Sequence, residues 1–217
     1  MLNTSEPTPS ELKTPEALIT ALRRQPVLVV LRAEQPLALR PALARLDGLG
    51  VRHVEIAWSP HHSNWSAQCR QLAAEFPALC IGAASVCSIA ALQAVADAGL
   101  SFAVSPVLQP ALLRHAAQLG LTLVPGVFSP SEVSAAMALG CAMVKLFPAT
   151  SLGPSYWRRL AGPLGPLPFC IAAGGLGPAD LPVWLASGVD AVALGGELSD
   201  GSAWTALGNW IASQAPR

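Results

Sequence analysis

The chain has 217 residues, of which 52% are hydrophobic and only 12% charged, and its 13 basic and 13 acidic side chains give a formal net charge of zero. This composition excludes an intrinsically disordered chain, which combines low hydrophobicity with high net charge, and it disfavours a nucleic-acid-binding protein, which usually carries a basic stripe. Only two of the basic residues are lysines, Lys13 and Lys145.

Residues 1–12 are rich in Ser, Thr, Pro and Glu, and they predict a flexible polar leader before a single domain over residues 13–217. No stretch of about 18 apolar residues runs without a Gly, Pro or polar interruption, so we expect no contact with a membrane. The first residues lack the basic and apolar regions of a signal peptide, and we therefore expect a cytoplasmic protein.

Short apolar or β-branched runs then alternate with Ala- and Leu-rich segments of helical length, which is the pattern of βα units around a parallel sheet. The predicted strands are residues 27–31, 53–56, 79–83, 102–104, 121–124, 143–146, 169–172 and 191–194. The predicted helices include residues 37–49, 88–98, 110–119, 130–139 and 178–187. Left-handed helix stops are predicted at the glycines shortly before five of the strands, namely Gly50, Gly99, Gly120, Gly140 and Gly188.

Eight such units in a chain of this length predict an α/β fold of the (β/α)₈ TIM-barrel type in a single domain. A doubly wound open sheet is the alternative. The five cysteines are odd in number and lack C-x-x-C spacing, so we expect buried thiols rather than disulfides or a zinc site; they are Cys69, Cys80, Cys87, Cys141 and Cys170.

Active sites of such barrels lie at the C-terminal ends of the strands. Nearly every predicted strand ends in a charged or small polar group, although packing alone does not require one there. These residues are Arg32, Glu55, Ser85, Ser105, Pro125, Gly126, Lys145, Gly174, Gly175, Gly195 and Gly196.

Lys145 has apolar neighbours on both sides. Burial disfavours the charged ammonium, and a neutral amine at a strand end can attack a ketone to form a Schiff base. The alternative is a lysine that reaches solvent or pairs with a carboxylate. The chain otherwise uses arginine almost exclusively, and arginine cannot be deprotonated for this chemistry, which favours the catalytic interpretation.

Glu55 is likewise a charged residue within an apolar strand. Burial raises the pKa of a carboxyl group towards the range in which it transfers protons near neutral pH. The alternative is a structural partner for Arg32. An acid and a lone lysine on different strands of one barrel together predict imine chemistry with proton transfer.

Glycine pairs follow the last two predicted strands, Gly174-Gly175 after the seventh and Gly195-Gly196 after the eighth. Barrels often bind phosphate through backbone N–H groups of these two loops, so we expect a phosphate site there. The adjacent histidines His61 and His62 lack an evident third ligand, and we expect neither a metal nor another cofactor.

Five motifs in order resemble one family: Lys145-Leu146-Phe147-Pro148-Ala149, Gly-Ala-Ala-Ser-Val at 82–86, Val-Ser-Pro at 104–106, Pro-Gly-Val at 125–127 and Val-Glu-Ile at 54–56. They resemble the class I aldolases that act on 2-keto-3-deoxy-6-phosphogluconate, 2-keto-3-deoxy-6-phosphogalactonate and 4-hydroxy-2-oxoglutarate. The resemblance extends from about residue 27 to residue 198 and therefore covers nearly the whole predicted barrel.

The resemblance implies a metal-free lyase that releases pyruvate and an aldehyde such as glyceraldehyde 3-phosphate, and it implies a homotrimer. Lys145 matches the Schiff-base lysine and Glu55 the general acid and base. Arg32 and Ser85 match residues near the substrate carboxylate. Pro106 and Phe147 match residues that wall the pocket.

The chain departs from the gluconate branch of this family at several positions. Ser59 stands where that branch has an arginine, Ala173 where it has threonine, and Gly196 where it has serine. The galactonate branch lacks the same arginine and has Gly-Pro shortly after its lysine motif, as Gly153-Pro154 do here. These departures favour the galactonate branch in ancestry without identifying the substrate.

Two alternatives to an aldolase stay open at this point. The first is a non-catalytic barrel that binds a sugar phosphate, which the missing polar side chains would suit. The second is another phosphate-binding barrel enzyme of the epimerase or thiamine phosphate synthase type. Neither requires a lysine at position 145.

Overall fold

The computed structural model describes residues 13–62, 64–196 and 201–214. Within these ranges the chain forms nine parallel β-strands in one sheet with the strand order β5-β4-β3-β2-β1-β9-β8-β7-β6. The strands are β1 (Val27–Leu31), β2 (His53–Ala57), β3 (Cys80–Ala84), β4 (Phe102–Val104), β5 (Thr122–Val124), β6 (Gly126–Val127), β7 (Met143–Leu146), β8 (Phe169–Ala173) and β9 (Ala191–Leu194).

The sheet closes into a barrel at Pro125, the single residue between β5 and β6. The residues before Pro125 pair with β4, with Val104 opposite Val124, whereas those after it pair with β7, with Gly126 opposite Lys145. Proline has no N–H to donate to a sheet, so the ladder is interrupted there. The predicted (β/α)₈ barrel is confirmed, the open-sheet alternative is wrong, and the predicted fifth strand is longer and split.

Helices separate the strands and cover the outside of the barrel. They are α1 (Pro15–Arg24), α2 (Arg40–Gly48), α3 (Trp65–Glu75), α4 (Ile89–Ala98), α5 (Pro110–Gln118), α6 (Pro130–Ala138), α7 (Tyr156–Leu164), α8 (Leu181–Ala186) and α9 (Gly201–Gln214). Short 3₁₀ turns at Pro36–Leu39 and Pro178–Asp180 take the first part of two segments predicted to be continuous helices. Five or more residues of each predicted helix are nevertheless helical.

Local sequence signals account for where several helices begin and end. The hydroxyl of Ser88 accepts a hydrogen bond from the Ala91 N–H at the start of α4, and Ser129 with Glu132 forms a capping box at the start of α6. All five glycines predicted to stop helices have a positive φ, between 64° and 102°. Those predictions are confirmed.

Helix α1 lies across the N-terminal end of the barrel, which we call the base. Its buried residues Leu18, Ala21 and Leu22 belong to one apolar cluster with side chains inside the barrel, among them Phe102 and Phe169. A second, larger cluster fills the layer between the outer side of the strands and helices α2 to α9. Apolar side chains therefore fill the barrel at its base. The candidate site lies at the opposite end, which we call the mouth.

The cysteines are free thiols, but their burial differs from the prediction at two positions. Cys69, Cys80 and Cys170 are buried, Cys141 is partly exposed, and Cys87 is exposed because it lies in the loop between β3 and α4. None of the helices within the described ranges is long and apolar enough to cross a membrane. The leader predicted for residues 1–12 lies outside these ranges.

Candidate active site at the barrel mouth

Lys145 lies inside the barrel near the end of β7. Its neighbours Val144 and Leu146 pack in the outer apolar cluster, whereas Met143 packs in the inner one, so the alternating strand directs Lys145 inwards. The side chain is only 6% exposed. Its backbone N–H donates to the Pro125 carbonyl at 2.8 Å, which fixes β7 at the point where the barrel closes.

The Lys145 Nζ atom lies 5.2 Å from the centroid of the Phe147 ring. Phe147 follows β7 directly and is partly buried. The predicted wall residue thus covers the predicted nucleophile, and the alternative in which Lys145 reaches solvent is wrong.

Glu55 occupies the middle of β2, where it pairs with Val30 on β1 and Gly82 on β3. It is fully buried, and neither carboxylate oxygen has a hydrogen-bond partner. Removal from water raises the pKa of Glu55, and the positive charges of Lys145 and then Arg32 oppose this shift. The geometry therefore favours a carboxyl group that holds a proton in the interior of the barrel.

Arg32 follows β1 and is exposed at the mouth. Its charge acts on Glu55 through space, but the absence of any hydrogen bond to either Glu55 oxygen excludes a direct pair between them. The structural alternative for Glu55, a salt bridge with Arg32, is therefore wrong. Arg32 stays available to an anionic group at the mouth.

Ser85 follows β3 with φ at 63°, a left-handed conformation that is uncommon for a residue with a side chain. Such strain concentrates at sites where the surrounding structure fixes the backbone for a function. The next strand end holds Ser105, which is buried and accepts a hydrogen bond from the Val107 N–H at 3.2 Å. Ser85 therefore lies at the mouth as predicted, while Ser105 stabilises a turn.

Pro106 packs directly against Gly126. A Cβ atom at Gly126 would lie 2.2 Å from the Pro106 carbonyl carbon, closer than any real contact allows. The loop after β4 therefore crosses the broken strand, and only glycine fits beneath it. This contact places the predicted wall residue Pro106 beside the strand that pairs with Lys145.

The Gly174-Gly175 turn packs against the loop after β7. A Cβ atom at Gly174 would lie 3.1 Å from the Phe147 ring, and one at Gly175 would lie 2.9 Å from Thr150 Oγ1. Both glycines also have positive φ, at 99° and 76°. Close packing and backbone conformation therefore require this pair.

The second glycine pair has a different environment. A Cβ atom at Gly195 or Gly196 would meet no atom within 4 Å, so open space lies beside this turn. The two glycine turns follow the neighbouring strands β8 and β9. One turn is closely packed and the other has free space beside it.

Two polar groups near the mouth have structural roles that sequence reasoning missed. The Ser59 hydroxyl accepts a hydrogen bond from the His61 N–H at 3.3 Å and so closes the turn after β2. The Thr150 hydroxyl donates to the Gly174 carbonyl at 3.0 Å. Among the described residues no three His, Cys, Asp or Glu side chains are grouped as metal ligands.

Comparisons with known proteins agree with this geometry. The family model described as "Aldolase: KDPG and KHG aldolase" matches residues 18–212. A probable 2-dehydro-3-deoxy-6-phosphogalactonate aldolase of Rhizobium meliloti is 34% identical over 80% of this chain and 82% of its own length. A KHG/KDPG aldolase of Escherichia coli K12 is 32% identical over 79% of this chain and 78% of its own.

Solved structures show the same architecture. The 2-keto-3-deoxy-6-phospho-gluconate aldolase of Zymomonas mobilis is 26% identical and has a TM-score of 0.73 over 89% of this chain and 94% of its own. A thiamine phosphate pyrophosphorylase of Pyrococcus furiosus, 16% identical, has a TM-score of 0.61 over 90% of this chain and 100% of its own. The second likeness shows only that the barrel is shared more widely.

Proposed function

Since the chain belongs to the KDPG and KHG aldolase family and is thus a carbon–carbon lyase, we propose that it forms a Schiff base through Lys145. The substrate class is a 2-keto-3-deoxy-6-phospho sugar acid of the gluconate or galactonate type. The products are pyruvate and an aldehyde such as glyceraldehyde 3-phosphate.

The observation that carries the proposal is the burial of Lys145 and Glu55 together inside the mouth. A buried amine is a better nucleophile than a solvated ammonium, and a buried carboxyl group with a raised pKa can return the protons that imine formation and cleavage require. A non-catalytic binding barrel has no use for two buried ionisable groups in its interior, where each is costly.

The steps follow from the two groups. The neutral Lys145 Nζ attacks the C2 ketone, the C2 oxygen takes one proton from Nζ and a second from Glu55, and water leaves as the protonated imine forms. Glu55, now ionised, takes the proton of the C4 hydroxyl, the C3–C4 bond breaks, and its electron pair passes to the imine as an enamine. The aldehyde leaves, Glu55 protonates C3, and water releases pyruvate from Lys145.

The other mouth residues bind the two ends of the substrate. Arg32 and the Ser85 hydroxyl bind the carboxylate end, because both groups are donors and they follow β1 and β3, the strands on either side of the one that carries Glu55. Gly174, Gly175, Gly195 and Gly196 surround the phosphate end with backbone rather than side chains. Pro106 and Phe147 wall the space between them.

Trapping with borohydride tests the Schiff base. Borohydride added with pyruvate should reduce the imine and fix a stable mass adduct on Lys145. The chain has only one other lysine, Lys13 at the base. A Lys13→Arg protein should therefore keep the adduct and a Lys145→Arg protein should lose both adduct and turnover; turnover by the latter would disprove the mechanism.

The substrate class is tested by comparing pyruvate release from the gluconate and galactonate phospho-acids and from 4-hydroxy-2-oxoglutarate. One of the phospho-acids should give the highest kcat/KM. If the protein traps pyruvate but releases none from any of the three acids, its substrate has a different aldehyde portion.

The proposed enzyme is a cytoplasmic homotrimer that needs no added cofactor. Several large apolar side chains are exposed on the single chain, and a trimer would cover some of them; they are Ile89, Val107, Phe128, Leu139 and Val183. Light scattering of the purified protein should give three times the chain mass, and activity should persist after dialysis against a chelator.

A further inference from the structure

Thr150 makes two hydrogen bonds to one carbonyl oxygen. It lies in the 3₁₀ turn Ala149–Ser151 just after the Lys145 strand. Its hydroxyl donates to the Gly174 carbonyl at 3.0 Å and its backbone N–H donates to the same oxygen at 3.4 Å. The side chain is exposed, so the hydroxyl could bind water instead, yet it is directed at the glycine turn.

These two bonds fix the orientation of the peptide between Gly174 and Gly175. In a trans peptide the C=O and the following N–H point in opposite directions. The Gly174 carbonyl points at Thr150 in the loop after β7, so the Gly175 N–H points away from Thr150. Both residues are glycines with positive φ, and glycine tolerates many conformations, so no side chain of their own restrains this peptide.

The β9 side is where the structure has open space. The Gly195-Gly196 turn follows β9, and a Cβ atom on either residue would meet nothing within 4 Å. This turn follows the strand next to β8, which carries Gly174 and Gly175 at its end. Among the described residues, the cationic side chains at strand ends include Arg32 after β1 and Lys145 in β7, and these two strands flank the β8–β9 pair.

We propose that Thr150 is a positioning residue that holds the Gly174-Gly175 peptide so that its N–H binds the phosphate end of the substrate. The inference rests on the proposed function for the identity of that anion. Backbone N–H dipoles in a turn can hold an anion, and the hydroxyl of Thr150 fixes the orientation of this one through the Gly174 carbonyl.

Thr150→Val tests this role, because valine keeps the shape of threonine and removes only the hydroxyl donor. The KM for the phosphorylated acid should rise about threefold to tenfold, the factor carried by one net hydrogen bond, while kcat changes less than twofold. Thr150→Ser should restore the KM. The KM for 2-keto-3-deoxygluconate, which lacks the phosphate, should stay the same in all three proteins.

Thr20→Val is the matched control, because the Thr20 hydroxyl also donates to a backbone carbonyl, that of Glu16 in α1 at the base. It should leave the KM for both acids unchanged. Equal rises for the phosphorylated and unphosphorylated acids in Thr150→Val would overturn the proposal, since they would indicate general damage to the mouth.

Calorimetric titration with inorganic phosphate separates this inference from the proposed reaction. Phosphate should bind the wild-type protein more tightly than Thr150→Val by the same threefold to tenfold, whether or not any acid is cleaved. Equal binding by the two proteins, or no binding by either, would refute the role of Thr150. Failure of pyruvate trapping on Lys145 would refute the proposed function alone.

Discussion

His53 at the base and Glu55 at the mouth are two residues apart on β2, and both point into the barrel. Burial drives each towards its neutral form, lowering the pKa of His53 to about 4 and raising that of Glu55. Their surroundings differ. At His53 the charge of Arg52 adds to the effect of burial and a hydrogen bond with the Val27 backbone opposes it, whereas at Glu55 the charges of Lys145 and Arg32 oppose burial and neither oxygen has a hydrogen-bond partner.

The comparison shows how one short strand serves both stability and chemistry. At the base, burial and the neighbouring charge both favour the neutral imidazole of His53. At the mouth, burial raises the pKa of Glu55 while the neighbouring charges favour its ionised form, so a small change in its surroundings moves a proton. Changes at the base should therefore affect folding, and changes at the mouth should affect turnover.

The largest expected effect is on turnover at the mouth. Glu55→Gln keeps the size of the side chain and removes its proton transfer, so kcat should fall about 10²-fold to 10⁴-fold. The adduct formed by pyruvate and borohydride on Lys145 should still form, at a lower rate. Glu75→Gln, which changes an exposed carboxylate paired with Arg40, should keep full kcat; if it does not, the assay reports stability rather than chemistry.

The second largest expected effect is on the free energy of unfolding, through residues at the base. Leu22 in α1 is fully buried, and Leu22→Ala should lower the free energy of unfolding by about 2–5 kcal/mol in urea titrations. Gln118→Ala, at an exposed position at the end of α5, should change it by less than about 0.5 kcal/mol. The Leu22→Ala protein should trap pyruvate like the wild type where it is folded; a loss of trapping would show that the two ends are coupled.

The pH dependence of the free energy of unfolding should also distinguish the base from the mouth. Because the pKa of His53 is lowered on folding, the neutral imidazole stabilises the fold above pH 6.5, and this contribution is lost as the pH falls towards 4. The loss should be about 3 kcal/mol over that range. Unfolding titrations at pH 7 and pH 4 should show this difference between the wild-type protein and His53→Gln, which does not titrate; parallel curves would contradict it.

The smallest effect concerns the ring beside the lysine. Phe147→Leu removes the aromatic face that lies 5.2 Å from Lys145 Nζ, and the rate of pyruvate trapping should change about twofold to fivefold, the range of a weak cation–π contact. Phe76→Leu changes a phenyl ring at the end of α3, towards the base, and should leave the rate unchanged. If both substitutions changed the trapping rate equally, the effect of Phe147→Leu would not come from its position beside Lys145.

Much of the barrel could be predicted because each strand is a short apolar run between recognisable helix signals. The bounds of four strands, beginning with β1, agree with the predictions to the residue. The split of the fifth strand could not be predicted, since Pro125 interrupts the ladder on one side while its carbonyl still accepts the Lys145 N–H on the other. Helix α1 was missed although Thr14 followed by Pro15 is a readable start signal.

The features of the candidate site also differ in how far the sequence could predict them. Lys145 and Glu55 could be found because a charge within an apolar strand is visible in the sequence itself. The restraint of Gly174 by Thr150 joins residues 24 positions apart and depends on how two loops meet, which no local pattern records. The strained φ of Ser85 is equally invisible, because serine ordinarily avoids that conformation.

The break at Pro125 also decides what borders the strand that carries the nucleophile. On one side β7 pairs with a neighbour of only two residues, Gly126 and Val127. The Gly126 N–H donates to the Val107 carbonyl in the segment after β4, so this short neighbour is itself held from the other side. The position of Lys145 therefore depends on the segment after β4 as well as on its own strand, and a change in that segment should reach the amine without touching it.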